Sequence, residues 1–136
     1  MARKPLVAGN WKMHGTPTSV RALLSALRQF SEDKAWSAAR VDVAVCPPAV
    51  FVPSALSMLE GCSIAVGAQN TSEHESGAFT GEIAPQMFAA LGVRYVILGH
   101  SERRTLYSEG DALVAAKVKL ALAGGLIPIV CVGETL

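Results

Sequence analysis

Five short apolar runs recur along the chain at a near-constant interval, and no other feature constrains its fold as much. They occupy residues 5–10, 41–46, 63–68, 95–99 and 127–132. Each is largely β-branched or small, and none alternates cleanly between apolar and polar side chains. That pattern predicts parallel strands buried on both faces beneath helices. Helical patterns fill the gaps. Thr16 is placed to cap a helix with Pro17 in its first position, and Val20, Leu23, Leu24 and Leu27 then form one apolar stripe. A short helix over residues 54–59 stops at Gly61. Ile83, Met87, Ala90 and Leu91 form a third stripe, closed by Gly92. Ser108 and Asp111 resemble a capping box ahead of Val114, Val118, Ala121 and Leu122, with Gly124 or Gly125 closing that helix.

Strict alternation of strand and helix means a parallel sheet with right-handed crossovers. The strands begin about 30 residues apart, the length of one βαβ unit. Eight such units make roughly 240 residues, the usual size of a closed (β/α)8 barrel. The chain holds four units and a fifth strand. The expected fold is therefore α/β, an incomplete (β/α)8 barrel of strands one to five with four connecting helices, forming one partial domain over residues 1–136. Composition agrees, because 51% apolar residues suits the interior of a larger domain than this. The alternative is a free-standing open doubly wound α/β module that binds a phosphate ligand or a partner without catalysis. Such a module needs a further helix over its last strand.

Several classes are excluded. Twelve basic and eleven acidic residues leave a formal charge of +1, which offers no basic field for nucleic acid. The longest uncharged apolar stretch, residues 120–133, is broken by Gly124, Gly125 and Pro128, whereas a membrane span needs about 20 apolar residues. Residues 6–9 are too short for the core of a signal peptide. Cys46, Cys62 and Cys131 are odd in number and lack metal-ligand spacing, which predicts neither a disulfide framework nor a metal site and points to a reducing, cytoplasmic compartment.

Parallel α/β folds bind ligands where the carboxyl ends of the strands emerge. That rule selects Asn10, Trp11, Lys12 and His14 after the first strand, and Cys46, Pro47 and Pro48 after the second. Gln69 and Asn70 follow the third, and residues 100–104 follow the fourth. His100, directly behind Gly99, is either an electrophile or a core histidine satisfied by backbone. A short helix opening at Ser101 would turn free N–H groups toward its imidazole and favour the neutral ring. Lys12 offers a point charge for phosphate or a developing oxyanion, against the plainer reading of a solvated loop lysine. Asn10 fits a turn residue equally well. His14 and His74 read as exposed loop residues, Glu102, Arg103 and Arg104 as a structural ion-pair cluster, and Cys131 as a small buried hydrophobe within strand five. No Asp or Glu is clearly placed to take a proton from carbon, with Glu134 the nearest candidate. The long polar segment over residues 69–81 reads as an interface or active-site loop.

At these residues the sequence resembles the triosephosphate isomerase family. The segments Gly9-Asn10-Trp11-Lys12-Met13, Gly67-Ala68-Gln69-Asn70, Gly77-Ala78-Phe79-Thr80-Gly81-Glu82, Leu98-Gly99-His100-Ser101-Glu102-Arg103-Arg104 and Pro128-Ile129-Val130-Cys131-Val132-Gly133-Glu134-Thr135 look like its motifs in order. The resemblance spans the chain and implies the first five strands of a TIM barrel. It implies that Asn10 and Lys12 bind a phosphorylated three-carbon substrate and that His100 is the neutral electrophile, a role established for the family. Ser101 and Glu102 match supporting residues, and Cys131 matches a buried cysteine behind the catalytic carboxylate. The family interconverts dihydroxyacetone phosphate and glyceraldehyde 3-phosphate without a cofactor, in glycolysis and gluconeogenesis. It is usually a homodimer, and Phe79, Thr80 and Glu82 match its interface loop. Its catalytic glutamate, mobile lid and glycine-rich phosphate grip have no counterpart in this sequence.

Overall fold

The computed structural model describes residues 3–32 and 40–133. Five strands, β1 (Leu6–Asn10), β2 (Asp42–Cys46), β3 (Ile64–Ala68), β4 (Tyr95–Leu98) and β5 (Ile127–Val130), form one sheet. All four pairings are parallel, and the strand order is the sequence order. A doubly wound sheet reverses its strand order at a switch point, so this order removes that alternative. Right-handed crossovers that always step the same way put every helix on one face and curl the sheet as a barrel wall. The β3–β4 junction is the narrowest, with only Gly67 opposite Tyr95 and Ala68 opposite Val96 in register.

The crossovers are α1 (Pro17–Glu32), α2 (Val52–Met58) preceded by a 3-10 turn over Ala49–Phe51, α3 (Pro85–Leu91), and a pair, α4 (Ser101–Leu106) and α5 (Asp111–Ala123), between β4 and β5. Thr16 caps α1 as expected: its Oγ1 accepts from Ser19 N at 3.2 Å, while Ser19 Oγ accepts from Thr16 N at 2.9 Å. Val20 and Leu24 of this helix are fully buried, with Leu27 packed behind them. They join Val45, Val52, Val66, Phe88, Val96, Leu98, Val114 and Ala121 in one core between sheet and helices.

Four expectations are corrected. Burial on both faces holds at the centre, where all four residues of β4 are buried, but not at the edges. Val7 of β1 is 61% exposed and Ile127 of β5 is 45% exposed, because each edge strand has a neighbour on one side only. On α3 the buried face is Pro85 and Phe88, while Met87 and Leu91 are exposed. The helix begins two residues after Ile83, which rotates the apolar stripe away from the predicted one. Leu23 of α1 and Leu122 of α5 likewise face outward. At the start of α5 the capping residue is Gly110, and the Asp111 carboxylate accepts from Arg104 instead of closing a box with Ser108.

Gly67 marks the tightest contact between strands. A Cβ there would lie 2.6 Å from Cys46 Sγ and 3.3 Å from Tyr95 Cβ. Gly67→Ala is expected to lower stability by about 1–3 kcal/mol in urea denaturation through overpacking. Cys46→Ala removes the obstructing sulfur, so the double variant should lose less than the sum of the two single losses. Simple additivity would place the strain elsewhere.

Candidate active site

The site is assembled at the carboxyl ends of the strands, beginning with the turn after β1. Asn10 Oδ1 accepts from Lys12 N at 2.9 Å, and Lys12 adopts φ 52, a left-handed conformation that non-glycine residues seldom take. Gln69 secures its other end: Nε2 donates to Lys12 O at 2.8 Å and also to Cys46 O at 2.9 Å. One amide side chain from behind β3 thus ties together the ends of β1 and β2.

The second half of the site follows β4. Gly99 adopts φ 70, and a Cβ on it would meet Arg104 Nη2 at 2.9 Å and Val114 Cγ1 at 3.0 Å. His100 is the capping residue of α4, and its Nδ1 accepts from Glu102 N at 3.1 Å. A nitrogen that accepts an amide proton carries none of its own, so the neutral ring bears its hydrogen on Nε2 and acts as a donor there. Glu102 then joins the halves. Its Oε1 accepts from Lys12 Nζ at 2.5 Å across 90 residues of sequence. The bond from Lys12 holds the Glu102 carboxyl below the ordinary glutamate range, against a smaller upward push from burial. Both side chains of this pair are about half exposed, at 50% and 47%, so solvent screens it and a ligand can compete for the lysine.

Asn10, Lys12, Gln69, Asn70, His100, Glu102 and Arg103 line one cleft of ≈ 480 Å³, together with Gly81, Glu82 and Ile83 of the loop before α3. The arrangement offers two cations, an imidazole and three amides around one opening. Among the described residues no group of three or more His, Cys, Asp or Glu side chains is gathered to hold a metal ion.

Sequence reasoning missed the support beneath the cleft. Glu109 and Lys117 are 5% and 2% exposed. Glu109 Oε1 accepts from Arg103 Nε at 2.9 Å and from Lys117 Nζ at 2.7 Å, and Lys117 Nζ also donates to Asn70 Oδ1 at 3.0 Å. Burial pushes the Glu109 carboxyl up, but the bonds from Arg103 and Lys117 outweigh it and leave the group below its ordinary range. A lysine on the buried side of an apolar helix was the available signal.

The other predicted residues fall as follows. Glu102, Arg103 and Arg104 form no cluster of their own: they pair with Lys12, Glu109 and Asp111 respectively. They diverge because successive helical residues point in different directions. Ser101 opens α4 and is exposed. Cys131 lies one residue past β5 and is half-buried, its N donating to Leu98 O at 2.8 Å. Burial raises its thiol, against a smaller opposing effect of Arg104. Phe79, Thr80 and Glu82 are exposed on the loop between β3 and α3. His14 is exposed as expected, but His74 is not solitary, since it stacks on Phe79. Glu134 lies outside the described residues.

Sequential parallel strands, helices on one face and a polar cleft at the carboxyl rim define a protein of the β/α-barrel class. Comparison with known proteins narrows this. The sequence profile of triosephosphate isomerase matches residues 5–136. The chain is 55% identical over 134 residues to the triosephosphate isomerase of Nitrosococcus oceani, covering 98% of this chain and 52% of that protein. It is 51% identical over 136 residues to that of Paracidovorax citrulli, covering 53% of it. The crystal structure of triosephosphate isomerase from Bartonella henselae superposes with a TM-score of 0.85 at 41% identity, covering 98% of this chain and 53% of that one. The chain belongs to the triosephosphate isomerase family, and it spans about half the length of the curated relatives it matches. Among the described residues no helix is long and apolar enough to cross a membrane.

The buried Glu109–Lys117 pair, with Asn70 on the lysine as the third member of the trio, makes stability depend on pH. The Glu109 carboxyl binds its proton less readily when folded than when unfolded, where about 4.3 is usual. Its contribution is therefore complete above that value and is lost as pH falls through the lower folded one. Glu109→Gln should narrow the stability gap to the parent chain as urea denaturation is moved from pH 7 towards pH 3. Lys117→Met should cost about 3 kcal/mol at pH 7 by breaking a buried pair from one side. A gap that stays constant with pH would mean that Glu109 is not ionised in the folded chain.

Proposed function

We propose that this chain supplies the electrophilic half of a triose phosphate isomerase site, acting between dihydroxyacetone phosphate and glyceraldehyde 3-phosphate. One observation carries the reading: Glu102 accepts from Lys12 with its side chain and donates to His100 Nδ1 with its amide, bringing the cation and the neutral imidazole into one cleft. An anionic substrate entering the cleft competes with Glu102 for Lys12. The ammonium then faces the phosphate and the oxygen that becomes negative, a placement whose value rises as charge develops. His100, with Nδ1 occupied, presents Nε2–H to the substrate oxygens and passes a proton between them as the enediolate forms and collapses. Asn10 holds the turn on which Lys12 stands and contributes to substrate binding. Ser101 and Glu102 support the imidazole, and Cys131 packs behind the rim.

The carbon-bound proton requires a base besides these. In this reading residues 1–136 form one partial barrel domain whose function is glycolytic and gluconeogenic, cytoplasmic and free of cofactor. The loop bearing Phe79, Thr80 and Glu82 meets a second copy in a homodimer.

Binding and turnover test the reading separately. Titration of the chain with glycerol 3-phosphate, followed by NMR, should shift the Lys12 and His100 signals, and Lys12→Met should abolish the response. An unchanged titration in that variant puts Lys12 outside the site. In a coupled assay the chain alone is expected to show no turnover, because a positioned general base contributes about 10²- to 10⁴-fold. In a chimera joining it to the remaining half of the Nitrosococcus oceani relative, His100→Gln should lower kcat by about 10²-fold or more with little change in KM, since the donor acts on charge present mainly in the transition state. A loss confined to KM would assign His100 to ground-state binding.

A further inference from the structure

The ladder between β4 and β5 stops where the chain leaves the sheet for the cleft. It runs as far as the bond from Cys131 N to Leu98 O at 2.8 Å. One rung further, a parallel pair would bring the His100 amide to Cys131 O. Gly99 prevents this, because at φ 70 it turns the chain out of the sheet and sets His100 at the start of α4. Arg104, one turn into that helix, fills the gap. Its Nε donates to Gly99 O at 2.7 Å, its Nη1 donates to Asp111 Oδ1 at 2.7 Å, and its Nη2 reaches Cys131 O at 3.5 Å. One planar fork thus spans the ends of both strands and the start of α5. A lysine ammonium is a point charge and cannot reproduce that span. The contacts also differ in setting. The Asp111 side chain is 96% exposed, so solvent screens its pair with Arg104, whereas the two strand-end carbonyls meet the guanidinium in a half-buried place.

We infer that Arg104 is a positioning residue for His100: its guanidinium stands in for the missing rung between β4 and β5, fixes the Gly99 peptide, and so sets the direction in which the imidazole faces the cleft. The inference rests on the reading of His100 as the electrophile. Arg104 does not itself line the cleft, so it works through the peptide that leads into His100 and not by touching a ligand. The next link is already in place, since His100 Nδ1 accepts from Glu102 N at 3.1 Å only while His100 stands as the cap of α4. A residue that served only as an ion-pair partner of Asp111 would leave a different signature, because removing the charge of Asp111 would then matter as much as removing the fork.

Two measurements test it. In the chain itself, hydrogen exchange at the Glu102 amide reads the His100 cap, and the Val96 amide of the buried strand β4 reads global folding. Arg104→Lys, which keeps the charge and loses the fork, should lower Glu102 protection several-fold and leave Val96 unmoved. Asp111→Asn, which keeps the acceptor oxygen and loses the charge, should move neither. In the chimera described above, Arg104→Lys should lower kcat by about 10- to 10²-fold with little change in KM, the cost of misplacing a group that acts in the transition state. Arg104→Ala should lose at least as much and recover part of it in millimolar ethylguanidinium, to which Arg104→Lys should not respond. Parent-like Glu102 protection in Arg104→Lys overturns the inference, and so does an equal fall at Val96, which would make Arg104 a global stabiliser. A loss in Asp111→Asn that matches Arg104→Lys overturns it too, leaving an ion pair only. If His100→Gln leaves kcat untouched in the same chimera, the electrophile reading falls, while Glu102 protection still decides whether Arg104 holds the cap. If His100→Gln lowers kcat and Arg104→Lys does not, the reading stands and the positioning role falls.

Discussion

Arg104 determines how α4 leaves β4, and most of the site depends on that departure. Its Nε donates to Gly99 O at 2.7 Å, and its Nη1 donates to Asp111 Oδ1 at 2.7 Å. The first bond locks a left-handed glycine at the strand end, and the second ties the turn to the start of α5. With the turn fixed, His100 becomes the cap of α4 and not its first helical residue. The cap is the one position whose side chain turns back toward the free amides of the first turn. The same rotation sends Glu102 across to Lys12 and Arg103 down to Glu109. Three successive polar residues, Glu102, Arg103 and Arg104, thus reach three different partners because a short helix fans them out. A side chain at position 99 would collide with both Arg104 and Val114, and the fan would be re-aimed.

Glu109 and Lys117 carry that placement into the interior. Buried ion pairs contribute little net stability compared with apolar residues of the same size, but leaving one partner alone is costly. Such a pair therefore acts mainly by penalising alternatives. If α5 slid or rotated against β3, the buried Lys117 ammonium would lose Asn70. The trio holds the end of β3 in register with the turn after β4, where the sheet has only two residue pairs in register. Charge does there what main-chain pairing does elsewhere in the sheet.

The legible and illegible parts of the sequence divide along the same line. Strand positions, helix order and the barrel-like progression follow from apolar spacing, a signal averaged over many residues. Rim residues follow from adjacency, since Asn10, Lys12, Gln69 and His100 each sit at or just past a strand end. The cap role of His100 was likewise readable from a polar segment behind Gly99. Partners separated by long stretches of sequence were not readable. Nothing local distinguishes a Glu102 that bonds Lys12 from one that bonds Arg103, and His74 looks solitary until Gly77 folds Phe79 onto it. Edge exposure was hidden for a different reason. Val7 and Ile127 have the composition of buried strands, and only the sheet order reveals that each lacks a second neighbour.

Lys12 shows where the fold gives up stability for the site. A left-handed conformation costs a non-glycine residue roughly 1–2 kcal/mol, and it persists only where its surroundings over-determine it. Here the Asn10 side chain holds the Lys12 amide, Gln69 holds its carbonyl, and Trp11 N donates to Cys46 O at 3.1 Å just before it. Each of those restraints comes from β1, β2 or the end of β3, close at hand in the sheet. The ammonium, by contrast, is held by a single half-exposed carboxylate that can be exchanged for a ligand. Backbone rigidity with a releasable charge is the combination an anion site needs, because the lysine then arrives positioned and gives up only a screened contact on binding. His100 follows the same rule with the roles reversed: its ring is fixed by an amide at Nδ1, and in the proposed reading the hydrogen that serves the substrate is on the other nitrogen. In the proposed reading the polarising side of the cleft is thus preorganised by described residues between Asn10 and Lys117.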